Sequence, residues 1–170
     1  MAEVKLRKFQ TIPFMDINKG EGEYEWRRIK RSTLFALNPN PQTTEEDYIS
    51  METPVTEVEK YQPELPQEVA LYAGDDIYEF IFNMFYDLPV GTGLKCPTMI
   101  CFPPNGEGEQ RAWVVDETTV ELGEYNSVDS KVSFTLKLGG DIKRGKYEVS
   151  GDSVTFTEGT WNDGQFSPKG

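Results

Sequence analysis

One short helical segment stands in a sequence that otherwise favours strands, and it carries apolar side chains on two faces. The first apolar stripe follows helical spacing and consists of Ile77, Ile81, Met84, Phe85 and Leu88. The second stripe is aromatic and consists of Tyr78, Phe82 and Tyr86. Asp75 or Asp76 can cap the free N–H groups at the start, and Pro89 ends the segment. The pattern predicts a helix over about residues 76–88.

A helix with two apolar faces constrains what surrounds it. In a small domain one face covers the protein's own sheet, and the other face is solvated, buried in the same core or pressed against another chain. Because protein interfaces concentrate aromatic residues, the aromatic stripe favours a protein contact. The sequence leaves open whether that contact is a neighbouring subunit or a broad core within the chain.

The remaining pattern is mainly that of β-strands. The clearest strand covers residues 131–138, where apolar residues alternate with polar ones. Residues 25–37 fit an extended segment or a strand whose polar side faces water or a partner. Further strands are predicted over residues 54–61, 67–72, 97–102, 110–115, 118–125, 146–149 and 154–157, the last two joined by a turn at Ser150, Gly151 and Asp152. The 170 residues therefore predict a single, mainly β domain, a β-sandwich or barrel with one flanking helix.

Two segments are predicted to lie outside this framework. Residues 38–53 are rich in Pro, Asn, Thr and acidic residues, and each residue before Pro39 and Pro41 is disfavoured from helical geometry. A loop of this length is functional or disordered in most compact domains, so we interpret it as an exposed arm. Residues 158–170 are polar and contain Gly and Pro, which predicts a loose tail unless a partner orders it.

Charge is distributed unevenly along the chain. The overall net charge is −12, but residues 1–32 carry +3 and residues 33–92 carry −11. Opposite patches of this kind suit head-to-tail association of copies, whereas the alternative interpretation is that excess acid keeps the protein soluble. Either way, the sequence disfavours a stable DNA-binding surface, which requires a basic footprint.

Several kinds of chemistry are disfavoured by composition. The chain has no histidine, which excludes Ser–His–Asp and Cys–His catalysis and the common imidazole zinc sites. Cys96 and Cys101 would lie roughly 16 Å apart along an extended segment, too far for a disulfide, and no metal-ligand spacing surrounds them. No run of 18 apolar residues suggests a membrane span, and no leader is recognisable. We therefore expect no enzyme, no cofactor, no metal and no membrane anchor.

Two groups of side chains are candidates for a site. The first group consists of glutamates on predicted strands: Glu57 and Glu59 on one strand, and Glu121 and Glu124 on another. They suit a carboxylate hydrolase only if a cleft brings two of them together, and otherwise they face water or line a hole inside a ring. The tryptophans are Trp26, Trp113 and Trp161, which are far apart in sequence and favour burial over a sugar-binding platform.

The order of these segments resembles the major tail tube protein of long-tailed bacteriophages. The resemblance covers roughly residues 25–160. Its most specific part is the closing stretch KVSFTLKLGGDIKRGKYEVSGDSVTFTEG, and the second is the helix with its short link, DDIYEFIFNMFYDLPVGT. The acidic, proline-rich loop precedes both. No part of the resemblance is a catalytic signature.

The resemblance implies a structural role. Family members are β-sandwich subunits that form six-membered rings, and the rings stack into a hollow, acidic tube through which DNA leaves the capsid. Carried onto this chain, residues 1–24 become an N-terminal arm and residues 38–53 a stacking loop. The implied subunit interface comprises Tyr78, Phe82, Tyr86, Tyr48, Arg27 and Arg28. The implied lumen-facing acids are Glu57, Glu59, Glu121 and Glu124.

The implied partners are further copies of the chain, the tail completion or terminator protein, the tape measure and the distal tail proteins. Genomic DNA would pass without specific binding. The implied location is the virion tail, assembled in the cytoplasm of the bacterial host. The same fold serves contractile tails, tube-like bacteriocins and secretion tubes, so a bacteriocin or contractile-tail subunit is the alternative. A carbohydrate-binding β-sandwich module is a more remote one.

Overall fold

The chain folds into β-sheets with one flanking helix, as the sequence predicts. The computed structural model describes residues 3–151 and 153–170. Over these residues the strands are β1 (Ile12–Asp16), β2 (Trp26–Arg28), β3 (Pro41–Glu46), β4 (Val55–Tyr61), β5 (Glu64–Ala70), β6 (Thr98–Cys101), β7 (Arg111–Val115), β8 (Thr119–Asn126), β9 (Lys131–Lys137), β10 (Ile142–Ser150), β11 (Ser153–Asn162) and β12 (Gln165–Pro168). Helix α1 spans Asp76–Asp87, and short 3₁₀ helices lie at Lys8–Gln10 and Gly91–Leu94.

The strands form three antiparallel sheets. The largest has the order β12-β11-β10-β7-β6-β1-β2, a second has the order β5-β9-β8, and β3 pairs only with β4 in a two-stranded ribbon. Strand β9 confirms the predicted alternation, because Val132, Phe134 and Leu136 are buried while the residues between them are more exposed. They face a core that also contains Met15, Ile100 and the buried face of α1.

The largest sheet curls around a second buried cluster, which is separate from the core described above. Phe14 and Val114 lie in this cluster with Tyr147 of β10, and Trp26 and Phe156 pack against it. Strands β2 and β11 would be about 24 Å apart in a flat sheet, yet they contact each other. The sheet is therefore barrel-like around this cluster, and the rest of the fold packs on its other face as a sandwich.

The helix has the boundaries and caps that the sequence predicts. The Asp75 carboxylate accepts from the backbone N–H of Ile77, which satisfies one of the free donors at the N-terminus. Leu88 forms the C-cap in a left-handed conformation (φ 48°), and its N–H donates to the Met84 carbonyl. That turn rotates Leu88 out of the apolar stripe and leaves its side chain 69% exposed, so its predicted place in the core is wrong. Among the described residues, no helix has both the length and the apolar character needed to cross a membrane.

The N-terminal segment is not wholly an arm. Residues 1–2 lie outside the described part, residues 3–9 are exposed, and residues 12–16 form β1, a central strand between β6 and β2. The sequence conceals this strand because four consecutive residues are buried, so that polar and apolar residues do not alternate. Pro13 also argues against a central strand; here its carbonyl accepts from Ile29 N.

Of the two alternatives for residues 25–37, a continuous strand is not formed. Only Trp26–Arg28 is a strand, and residues 31–38 then run along the edge of β5. Thr33 N donates to the Glu68 carbonyl, and Asn38 and Glu64 exchange backbone hydrogen bonds. This irregular segment covers an edge that would otherwise expose unpaired backbone groups.

The predicted loop at residues 38–53 is a ribbon instead of an irregular arm. Strand β3 occupies its centre and pairs with β4, with a register shift between Gln42 and Thr43. The threonines favour this extended pairing, whereas the prolines and acids beside them suggest a loop. All residues of β3 are exposed, so the segment does project into solvent.

The C-terminal tail is ordered by a hairpin. Strand β11 continues to Asn162, and Trp161 pairs in register with Phe166 of β12. Asp163 and Gly164 both have positive φ at the turn, which is the geometry that an Asp-Gly pair favours in two-residue hairpins. The prediction of a loose tail is therefore wrong. Asp152, in the predicted turn between β10 and β11, lies outside the described residues.

Both cysteines are free and buried, as predicted. Burial raises the pKa of the Cys96 thiol to about 12, and the nearby Asp16 adds to the rise. Burial likewise raises the pKa of Cys101 to about 12, although Arg28 opposes it. The Cys96 thiol donates to the Asp16 carbonyl at 3.3 Å.

We expect both thiols to resist alkylation in the folded protein. Since the thiolate is the reactive form, a pKa near 12 leaves only about one thiol in ten thousand ionised at pH 8, and burial blocks access as well. Iodoacetamide at pH 8, followed by mass spectrometry, should modify neither cysteine in buffer and both in guanidinium. Rapid modification of either thiol in buffer would contradict the packing described here.

Candidate assembly surfaces

The aromatic stripe of α1 is shared between the protein's own fold and solvent. The Tyr78 and Phe82 rings are half-buried, with centroids 6.0 Å apart. The ring of Tyr125 in β8 packs against that of Phe82, with centroids 6.3 Å apart. The hydroxyls of Tyr125 and Tyr78 are 3.3 Å apart, and the hydrogen bond between them raises the pKa of Tyr78 to about 12. Tyr86 is 79% exposed. The intrachain contact therefore accounts for the N-terminal part of the stripe, and the intersubunit alternative stays a prediction for its exposed C-terminal end.

Exposed apolar side chains continue past the end of the helix. Leu88 and Val90 are largely exposed beside Tyr86 in the sequence. We call these three residues the helix-end patch. Sequence reasoning missed this patch because the helical period assigned Leu88 to the core and because Val90 lies beyond the helix. Tyr125, which covers the other end of the stripe, was missed because it belongs to a distant strand.

The predicted basic contacts are engaged within the chain. Arg27 Nε lies 3.2 Å from Asp76 at the start of α1, which ties β2 to the helix. Arg28 is half-buried, and its charge acts on the Cys101 thiol. Their role in a subunit interface stays a prediction.

The β3–β4 ribbon presents an apolar tip between acidic residues. Tyr48 and Met51 are about half exposed, and Ile49 is fully exposed. The flanking acids are Glu45, Glu46, Asp47 and Glu52. We call residues 47–52 the ribbon tip. Tyr48, the one member of the predicted interface set outside the helix and β2, is thus part of a larger apolar feature.

The four predicted lumen acids lie on two different sheets. Glu57 and Glu59 are exposed on β4 of the ribbon, and Glu121 and Glu124 are exposed on β8. The β8 strand has a register shift between Leu122 and Tyr125, which interrupts the alternation there. All four carboxylates face solvent in the isolated chain, and the lining of a channel by them stays a prediction.

A groove of about 1240 Å³ is lined in part by residues of β7, β10 and β11. Its walls are the N-terminal segment and the residues that follow β6. The lining includes the side chains of Phe102, Glu109, Arg111, Trp113, Arg144 and Trp161. Neither the ribbon nor the helix contributes to the lining.

Two of the three tryptophans, Trp113 and Trp161, line this groove. The Trp113 ring makes an edge contact with the Phe102 ring, with centroids 5.2 Å apart. The Arg144 guanidinium lies 5.9 Å from the centroid of the Trp113 ring. Trp161 packs against Phe166 at 5.3 Å. The rings are therefore engaged by neighbours of the same chain, which does not favour sugar stacking.

The groove contains one polar group whose hydrogen bond is missing. The indole Nε1 of Trp161 is enclosed and has no acceptor among the described residues. By contrast, the nearly buried Glu109 carboxylate accepts from Gly164 N at 3.2 Å. The hydrogen bond between the Glu107 and Glu109 carboxyl groups raises the pKa of Glu107.

Comparison with known proteins identifies the fold. No family model matches the sequence, and no curated protein matches it. Solved structures share the fold, among them two with TM-scores above 0.5. One belongs to the sheath/tube terminator of an extracellular contractile injection system called PVC, with a TM-score of 0.53, 10% identity, and coverage of 85% of this chain and 99% of that one. The other is from the tail of an empty GTA particle with C6 symmetry, with a TM-score of 0.52, 12% identity, and coverage of 81% and 97%.

Proposed function

We propose that this chain is a structural subunit of a phage-type tail tube, in which six copies form a ring and rings stack around an acidic channel. The observation that carries the proposal is the fold, which nearly the whole length of both matched chains shares with this one. One of these structures is a tail with six-fold symmetry. The same proposal assigns the chain to a particle tail assembled in the bacterial cytoplasm, without a catalytic role.

The surfaces of the isolated chain support self-assembly. Over the described residues no third strand pairs with the ribbon, and isolated two-stranded ribbons are marginally stable in water. Its apolar tip and the helix-end patch are separate exposed surfaces that copies of the chain could cover. Contacts between unlike surfaces generate closed rings or open stacks, according to the rotation between neighbours.

The acidic excess supports a channel that DNA passes without adhering. A wall with net negative charge offers few basic partners for phosphates, so genomic DNA would not release counterions and bind. In this proposal Glu57, Glu59, Glu121 and Glu124 are the candidate lining acids. The tail terminator, tape measure and distal tail proteins would contact the ends and the interior of the tube.

A tube subunit of a contractile tail or a tail-like bacteriocin is the second candidate. It is favoured by the match to the terminator of a contractile injection system. The two candidates share the ring-forming subunit and differ in the kind of particle and in whether a sheath surrounds the tube.

Electron microscopy of the purified full-length chain tests the proposal. We expect hollow tubes of stacked six-membered rings, either on concentration or after seeding with sheared tails from the source particle. Two-dimensional class averages should show six-fold end views. A chain that stays monomeric by light scattering at high concentration, and that adds to no seed, would contradict a tube subunit.

A further inference from the structure

The groove between the N-terminal segment and β7, β10 and β11 has the properties of a docking site for a polypeptide. Its volume of about 1240 Å³ exceeds the roughly 300–1,000 Å³ of small-molecule pockets. Phe102, Trp113 and Trp161 supply apolar surface, which a partner would remove from water. An occupant with apolar side chains would cover that surface.

The charges of the groove favour an acidic occupant. Arg111 and Arg144 are exposed at its rim. The acids of the lining are Glu3, which is exposed, and Glu109, whose carboxylate is nearly buried and already accepts from Gly164 N. The two guanidinium groups can therefore pair with carboxylates brought by an occupant, and Arg is the side chain best suited to such pairing.

The chain itself contains a segment of matching chemistry. The ribbon tip offers the apolar side chains of Tyr48, Ile49 and Met51 between Asp47 and Glu52. It projects from a ribbon that pairs with no other sheet, and it is absent from the lining of its own groove. We propose that the ribbon tip of one copy docks in the groove of a second copy, with its acids against Arg111 and Arg144.

This contact rests on the proposed function and names the receiving surface for one of its subunit interfaces. Because tip and groove are different surfaces, each copy can give and receive one tip. Such a heterologous contact repeats along a ring or a stack instead of ending at a dimer.

Disulfide trapping tests the proposed contact. The double variant Ile49→Cys/Thr160→Cys places one thiol on the tip and one on the exposed groove wall. The native Cys96 and Cys101 are buried and stay in place. Mild oxidation followed by non-reducing electrophoresis should give a ladder of covalent oligomers. We expect at least about tenfold more ladder than in the controls, because docking raises the effective concentration of the two thiols.

In the matched controls, the first cysteine replaces an exposed valine instead of Ile49. Val90→Cys/Thr160→Cys tests the helix-end patch, and Val128→Cys/Thr160→Cys tests the β8–β9 turn. The side chains of both valines are at least 85% exposed. The single variants Ile49→Cys and Thr160→Cys can give dimers but no ladder. Circular dichroism and electron microscopy of the reduced samples report folding and tube formation.

Each outcome decides the matter. A ladder specific to the Ile49 pair supports the docking. Equal ladders from all pairs, an intrachain disulfide, no ladder, or a ladder confined to the Val90 pair would overturn it, and the last would assign the groove to the helix end of a second copy. Tubes without a tip-specific ladder would overturn the docking alone, whereas a specific ladder without tubes or rings would contradict the proposed function.

Discussion

Replacing Asp16 by alanine is expected to destabilise the folded chain by about 3–5 kcal/mol, a large part of the stability of a typical domain. The Asp16 side chain has no exposed surface. Its Oδ1 accepts from the backbone N–H groups of Asn18 (3.0 Å) and Glu25 (2.9 Å), and its Oδ2 accepts from Gly20 N (2.9 Å). Alanine leaves these three partly buried N–H groups without an acceptor. It also removes the hydrogen bonds that hold the connection between β1 and β2.

Urea unfolding followed by circular dichroism measures this effect. Asp16→Asn is the graded comparison, because it keeps one acceptor oxygen, and we expect it to lose about half as much stability as alanine. Asp141→Ala is the matched control at an exposed aspartate and should change the free energy of unfolding by less than about 0.5 kcal/mol. An Asp16→Ala variant as stable as the Asp141 control would contradict the role of this carboxylate.

Asp16 also shows where sequence reasoning fails on this fold. Patterns with one buried face are predicted well: α1 and β9 have the predicted boundaries to within a residue. Strand β1 is buried on both faces because the sheet that contains it has a cluster on each side. A strand of that kind has no alternation to detect, and a buried aspartate at its end is indistinguishable by composition from a loop residue.

The errors at the ribbon and the C-terminus have a different cause. In both places composition suggests a loop, whereas pairing with a neighbouring strand decides the structure. The Asp163-Gly164 pair was a local signal for the β11–β12 hairpin, but the ribbon has no comparable turn signal. Its pairing depends on residues nine to twenty positions apart, from Glu46 with Val55 to Pro41 with Tyr61.

The candidate surfaces were predictable only in part. The sequence predicted the aromatic stripe and Tyr48 as surfaces for a partner, and both have exposed side chains. It could not show that Tyr125 covers part of the stripe, because that contact joins two elements distant in sequence. It also could not show the groove, since Trp113 and Trp161 come together only through the pairing of β7, β10 and β11.

Removing the apolar side chains of the ribbon tip is expected to abolish tube formation while leaving the fold intact. In the variant Tyr48→Ser/Ile49→Ser/Met51→Ser, the three lost side chains lie outside both buried clusters and are exposed in the isolated chain. If burial on assembly stabilises the contact by only about 1 kcal/mol for each side chain, their loss raises the critical concentration more than about a hundredfold. Sedimentation and electron microscopy across a concentration series measure that threshold.

The matched control is Val128→Ser, which removes an exposed apolar side chain at the β8–β9 turn. It should form tubes at the wild-type concentration, and both variants should unfold at the wild-type urea midpoint, since surface changes of this kind rarely alter stability by more than about 0.5 kcal/mol each. Folding and assembly then separate: a tip variant that is fully folded but does not polymerise places the assembly free energy on the ribbon. A tip variant that forms tubes at the wild-type threshold would instead show that other surfaces hold the copies together.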